Sequence, residues 1–244
     1  MLPDADRPGT ASKFTGPAPD VAEKLVGSIL SGGREAILEL AKMIRDANGN
    51  GEKNFKPGYL LHAVALRVGD KGREKERRVF NEALASLLGG ATPPAGAQEY
   101  LLRELQCAGG PEVVKTLGDL LEKAVIWEHA LNTLVAIGAG AGEPLRKALA
   151  GAKGRRRLAL LQALGAVRDA ASTGALAPAT GDKDENTRLA ACWGLARIAT
   201  PACVEPVLKA AAKAESWEKI KVNKAALQLA ENLAAAGKKD KARE

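Results

Sequence analysis

Aromatic side chains make up 3% of this chain's 244 residues, although 46% of the residues are hydrophobic. Alanine, leucine and glycine carry the apolar content, while the β-branched and aromatic types that favour strands are scarce. That mixture argues against a sheet and for thin helices that approach one another closely. Histidine is rarer still, with two in all. His62 and His129 fall on helices of different pairs, in the apolar stretches Leu60-Leu61-His62-Ala63 and Trp127-Glu128-His129-Ala130. Each reads as a satisfied helix-face residue and not as a base or ligand. Cysteine occurs three times, as Cys107, Cys192 and Cys203, each inside an apolar helical pattern. None has a CxxC, CxxCH or zinc spacing, so they read as small buried hydrophobes. Cys192 and Cys203 could face each other across one helical pair, which is short of establishing a disulfide. GxSxG, HExxH, Walker A and a GxGxxG following a strand are all missing. The expectation is a non-enzyme, with no catalytic residue, cofactor or metal implied.

Long hydrophobic runs are lacking too. Nothing approaches the roughly 18 apolar residues that would span a bilayer. The opening Met1-Leu2-Pro3-Asp4-Ala5-Asp6 has no basic segment followed by an apolar one, so no signal peptide is visible. A cytoplasmic protein is expected by default, or an exported one if the N-terminus is truncated. Charge of one sign does not dominate: 36 basic residues stand against 29 acidic ones, for a formal charge of +7. That mild excess suits nucleic acid, an anionic surface or simple solubility.

What is present is helical periodicity broken at regular intervals. Residues 1 to 18, with Pro3, Pro8, Pro17, Gly9 and Gly16, are expected to be disordered. From Val21 onward the pattern predicts pairs of helices at about 20–31 and 33–48, 58–69 and 72–89, 96–108 and 111–123, and 125–137 and 143–151. A fifth pair follows at 154–167 and a weak 171–179, and a sixth at 185–199 and 201–213. A last helix covers about 215–236, and 238–244 form a charged tail. Asp46 to Pro57 is a polar loop. Its Asp46-Ala47-Asn48-Gly49-Asn50-Gly51-Glu52 has the oxygens and glycine of the first half of a calcium loop, but Pro57 stands where the bidentate carboxylate should be. A plain Asn/Gly loop is the preferred reading, with calcium as the alternative.

The repeat is visible at the ends of successive first helices. Leu105-Gln106-Cys107-Ala108, Leu134-Val135-Ala136-Ile137, Leu164-Gly165-Ala166-Val167 and Leu195-Ala196-Arg197-Ile198 begin at leucines 29, 30 and 31 residues apart. After each comes a break and a new start at Gly110-Pro111, Glu143-Pro144, Ala171-Ser172 or Thr200-Pro201. Proline is tolerated there because its missing N–H would have been unpaired anyway. Two helices per period near 30 mean one unit repeated, each burying its apolar face on its neighbours. The fold class is therefore all-α, an α-solenoid of about six helical hairpins with a C-terminal capping helix over residues 19–237. Small residues such as Ala163, Gly165, Ala190, Ala191 and Gly194 leave room for a neighbouring backbone. Mid-helix glycine costs about 1 kcal/mol against alanine, so its recurrence suggests close helix packing in return. In the last helix Ile220, Leu227 and Leu229 with Ala225, Ala226 and Ala230 form a stripe that would cap the array, or dimerise.

The segment Gly181-Asp182-Lys183-Asp184-Glu185-Asn186-Thr187-Arg188-Leu189-Ala190-Ala191-Cys192-Trp193-Gly194-Leu195-Ala196-Arg197-Ile198, followed by Val204-Glu205-Pro206-Val207-Leu208, resembles a HEAT repeat of the bilin-lyase-like subgroup. The shared pattern is an acidic turn, an arginine, alanines, Leu-small-x-Ile and a second helix. Overall the chain also resembles the HEAT-repeat proteins of planctomycete-type bacteria. The resemblance implies that Asp182 or Asp184 caps its helix and that Arg188 reaches an acidic turn in an adjacent repeat. It implies a curved interaction surface and no reaction; a bilin-lyase-like enzyme is the weakest of the readings it raises.

The expected function is a scaffold that binds an unknown protein partner through the concave ridge of second helices. The groups expected to be exposed there are Lys115, Asp119, Arg146, Lys147, Glu205 and Lys209. The run Gly154-Arg155-Arg156-Arg157-Leu158 opens a helix, where cations oppose the macrodipole; an acidic partner or a bulk charge requirement would explain it. Nucleic acid is the alternative partner. Clusters at Arg73 to Arg78, Lys153 to Arg157, Lys219 to Lys224 and Lys238 to Arg243 would track phosphates, as in the HEAT-like DNA glycosylases that the chain resembles in fold. Trp127, Trp193 and Trp217 would be their aromatics, or would simply pack between helices.

Overall fold

The computed structural model describes residues 18–44, 55–90 and 93–243. The Asp46–Glu52 loop lies outside these residues, as does the N-terminal stretch up to residue 17. Among the described residues there is no strand. The chain divides into two compact units, Met1–Ile137 and Gly138–Glu244.

Among the described residues of the first unit, seven α-helices follow one another: α1 (Pro19–Ser31), α2 (Gly33–Lys42), α3 (Phe55–Gly69), α4 (Glu74–Gly89), α5 (Ala95–Ala108), α6 (Val114–Leu120) and α7 (Trp127–Ile137). The first helices of successive pairs stack in one layer, α1 on α3, α3 on α5 and α5 on α7, while α2 and α6 pack on α4. Leu61, Val64, Val68, Phe80, Leu84, Leu101, Leu102, Leu105, Leu117 and Leu134 fill the seam between the layers and are fully or almost fully buried. These positions recur at three- and four-residue spacing, so each helix presents one continuous stripe.

The second unit holds α8 (Gly142–Gly151), α9 (Gly154–Ala166), α10 (Thr173–Leu176), α11 (Glu185–Ile198), α12 (Val204–Lys213), α13 (Ser216–Ala235) and α14 (Lys239–Ala242). Here α9, α11 and α13 form the layer of first helices. The close approach expected from the small residues is present. A Cβ added at Gly165 would run into the Gly194 backbone and lie 3.1 Å from the Trp193 ring. One added at Gly194 would strike the Leu176 side chain. Glycine at both positions lets α9 and α11 pack backbone to backbone.

Several boundaries differ from the sequence expectation. Helix α2 stops at Lys42 and not near residue 48. Its apolar stripe ends at Ile44, which is buried with its N–H on the Ala41 carbonyl. Three second helices are entered through 3-10 turns, at Pro111–Val113, Ala170–Ser172 and Pro201–Cys203. In each the third residue is buried and donates its N–H three residues back, to Gly110, Asp169 or Thr200, a tightening common at helix starts. The weak fifth element proves to be a four-residue helix, α10, continuing as a 3-10 stretch over Ala177–Gly181. Pro178 has no N–H to offer an α-helix at that point. The tail folds one further short helix, α14, which packs on α13.

The stripe of the last helix also divides. Val222, Ala225, Leu229 and Leu233 are buried, whereas Ile220 is 67% and Leu227 69% exposed. No described helix is long and apolar enough to cross a membrane.

Candidate interaction surface

The polar side chains of the second unit are organised first as links between repeats. Arg188, in the first turn of α11, donates from Nε and Nη2 to both oxygens of Glu218 on α13, at 2.6 and 2.7 Å. Its remaining nitrogen donates to the Asp182 and Lys183 carbonyls at 2.9 and 3.1 Å. The arginine thus ties its own turn to the next repeat, as the resemblance implied. These hydrogen bonds hold the Glu218 carboxyl below its ordinary range. One repeat earlier Arg157 of α9 donates to Asp182 at 2.8 Å. At the start of the unit Arg146 of α8 pairs with Asp169, which also accepts from Ser172.

Asp184 is the N-cap of α11, accepting from the Thr187 N–H at 2.8 Å and its hydroxyl at 2.6 Å. Asp182 braces the same turn by accepting from the Asp184 N–H at 2.9 Å. The Thr187 bonds depress the Asp184 carboxyl, and the Asp184 N–H with the Arg157 guanidinium depresses that of Asp182. The exposed acidic turn between repeats is therefore a hydrogen-bonded joint, and its charges are committed to it.

Carbonyls at the far ends of first helices are met in a similar way. Arg197 of α11 donates to Gly165 O at 3.2 Å while its guanidinium lies 4.9 Å from the Trp193 ring centre. Asn232 of α13 donates to Ala196 O at 2.8 Å. In the first unit Asn81 of α4 donates to Ala108 O at 2.9 Å, and Thr133 of α7 reaches mid-helix, donating to Leu102 O at 3.0 Å.

Two grooves lie on the second unit. One, of about 570 Å³, is lined by Asp182, Glu205 and Glu218 and by Arg188, Lys209 and Lys213. The other, of about 650 Å³, runs past Lys153, Arg155, Arg157 and Lys183 with Asp182 and Asp184. Among the residues singled out from sequence, Glu205 and Lys209 line the first groove and pair with each other at 2.6 Å. Arg155 and Arg157 line the second, while Arg156 beside them is half-buried. Lys147 is exposed on α8, and Arg146 next to it is engaged by Asp169. Lys115 and Asp119 are exposed on α6 of the first unit.

The tryptophans part company. Trp127 and Trp193 are partly covered, but Trp217 is 54% exposed, with Lys221 lying 5.3 Å from its ring centre. Cys192 and Cys203 are buried free thiols, and burial pushes Cys192 up to about 11.

A cluster that sequence reading did not anticipate lies in the first unit. His62 of α3 meets Glu104 of α5 with Nδ1 2.9 Å from Oε2. Glu104 is 3% exposed, and burial raises its carboxyl above the ordinary range. Tyr100, one turn earlier, donates to Gly58 O at 2.8 Å and is pushed up to about 12 by burial. The readable signal was that Glu104 falls on the apolar stripe of α5, between Leu101 and Ala108.

Residues 142–228 match the HEAT-repeat family profile. Over these residues the chain is similar to HEAT repeats. The matched segment takes in both grooves, the joint at Asp182–Asp184 and the Arg188–Glu218 link. No curated protein matches the chain. Among solved structures, an engineered protein is similar over 96% of this chain and 69% of its own, with 18% identity and a TM-score of 0.47.

Proposed function

We propose that the chain is a non-catalytic scaffold whose HEAT repeats bind a protein partner along the grooves of the second unit. The supporting observation is the lining of the first groove, which contains three carboxylates and three cations. A phosphate backbone rewards uniform positive charge and is repelled by carboxylates; a protein surface carrying both signs can complement such a lining. Glu205 and Lys209 are its exposed contact groups, with Lys147 and Arg155 beyond it and Lys115 and Asp119 available on the first unit. Arg146 and Arg157 enter this reading mainly as braces, since both are ion-paired within the unit.

The test is affinity capture of the intact chain followed by mass spectrometry, beside the exchange variant Glu205→Lys with Lys209→Glu. A specific partner retained by the wild type and lost by the variant, with its thermal midpoint unchanged, is the expected result. Duplex or single-stranded DNA titrated at low and high salt serves as the opposing arm. Tight binding at low salt that falls steeply as salt rises would replace this reading with nucleic-acid binding.

A further inference from the structure

The cluster in the first unit has a composition that hydrogen bonding alone does not require. Glu104 and Cys107 stand three residues apart on α5 and so share one face of the helix. Helix α3 packs against that face and brings His62 to it. The ligand-capable atoms of His62, Glu104 and Cys107 all lie within 4.8 Å of one another. An imidazole nitrogen, a carboxylate oxygen and a sulfur converge from two helices onto one point.

We propose that His62, Glu104 and Cys107 form a three-ligand site for a borderline-soft divalent cation of the zinc class. The donor set selects the ion: calcium and magnesium take shells of oxygen, whereas mixed nitrogen, sulfur and oxygen donors suit zinc. Tetrahedral zinc, with bonds of about 2.0–2.3 Å, holds its ligand atoms roughly 3.3–3.8 Å apart. In the present cluster the His62–Glu104 contact is 2.9 Å and no pair of ligand atoms is more than 4.8 Å apart, so binding requires shifts of about an ångström or less in each contact.

The surroundings are consistent with a site open on one side. Glu104 is 3% exposed and is fixed on the apolar stripe of α5, while His62 and Cys107 reach solvent. The buried carboxylate forms the floor, the other two ligands form the rim, and the fourth position is left to water. On binding, metal–nitrogen, metal–oxygen and metal–sulfur bonds form. The S–H proton, and the proton shared between His62 and Glu104 where one is held, leave to solvent. Arg103 stands on the same helix with its guanidinium 5.7 Å from the Tyr100 ring centre; its positive charge moderates affinity and does not occupy the cluster.

The test uses the full chain freed of metal by a chelator and titrated with Co(II) as a spectroscopic stand-in, then with Zn(II) against a colorimetric competitor. The expected result is one equivalent bound, with a sulfur-to-cobalt charge-transfer band that Zn(II) bleaches. Cys107→Ser removes that band. His62→Ala and Glu104→Gln each weaken Zn(II) binding by about tenfold or more. His62 and Cys107 are at the surface, so their variants retain the wild-type circular dichroism spectrum and keep the assay informative if Glu104→Gln fails to fold. No stoichiometric binding, or a band that persists in Cys107→Ser, overturns the proposal.

Discussion

At the scale of single residues, the absence of one Cβ decides how closely two helices lie. Gly165 and Gly194 face each other between α9 and α11, and a methyl group at Gly165 has no space that a flexible side chain could vacate. Gly165→Ala should destabilise the protein by about 1–3 kcal/mol, the usual cost of overpacking. Gly27 makes the contrast: it lies in the exposed middle of α1 with nothing within 4 Å of an added Cβ. Gly27→Ala should stabilise by up to about 1 kcal/mol, because only helix propensity changes there. Urea denaturation of the two variants checks both signs. A neutral Gly165→Ala would mean that α9 and α11 move apart at little cost.

At the scale of elements, most of the fold was legible because the leucines that open each helix end recur every 29 to 31 residues. That period reports burial, and burial is what the helices share. The 3-10 entries at Val113 and Cys203 were not legible, since proline fits the first turn of either helix type, and the one at Ser172 has no proline to mark it at all. The left-handed end of α11 was hidden as well: Gly138 announces such a turn, but Ala199 and Arg168 adopt it at positive φ with no residue type to signal it. The charged links divided in the same way. The cap was readable as Asp182 or Asp184, of which the structure selects Asp184, and Arg188 as reaching toward the next repeat. That Glu218 would receive it depended on helix register in three dimensions. Glu104 was missed because its stripe was read for its leucines alone.

These joints make the second unit acid-sensitive in a definite direction. Asp182, Asp184 and Glu218 are all held below their ordinary values in the fold. A depressed folded pKa gives stability that is present above the unfolded value and is lost as pH falls through the folded one. The thermal midpoint should therefore be flat near neutrality and fall below about pH 4. Asp184→Asn keeps a cap acceptor but removes one titrating group, so its midpoint at pH 7 should stay near that of the wild type while its acid slope becomes shallower. In a Trp127→Phe background, Trp193 and Trp217 fluorescence reports the transition from within this unit. Identical acid slopes in the two proteins would show that the cap carries no pH dependence.

For the whole molecule the governing quantity is net charge. The formal +7 leaves the folded chain with residual self-repulsion, which acts over longer distances than its ion pairs do. Two links that cross repeats in the second unit, Arg157–Asp182 and Arg188–Glu218, are half-buried or better, and buried pairs are screened less than exposed ones. Exposed pairs such as Lys42–Glu39 and Lys209–Glu205 contribute little in any case. Added salt should thus relieve repulsion more than it weakens attraction. Raising sodium chloride from about 0.02 M to about 0.3 M shortens the screening length from roughly 20 Å to below 10 Å, and the thermal midpoint should rise by about one to three degrees on the same grounds. Scanning calorimetry at pH 7 measures it directly. A fall of several degrees would instead assign the stability of the chain to its exposed ion pairs.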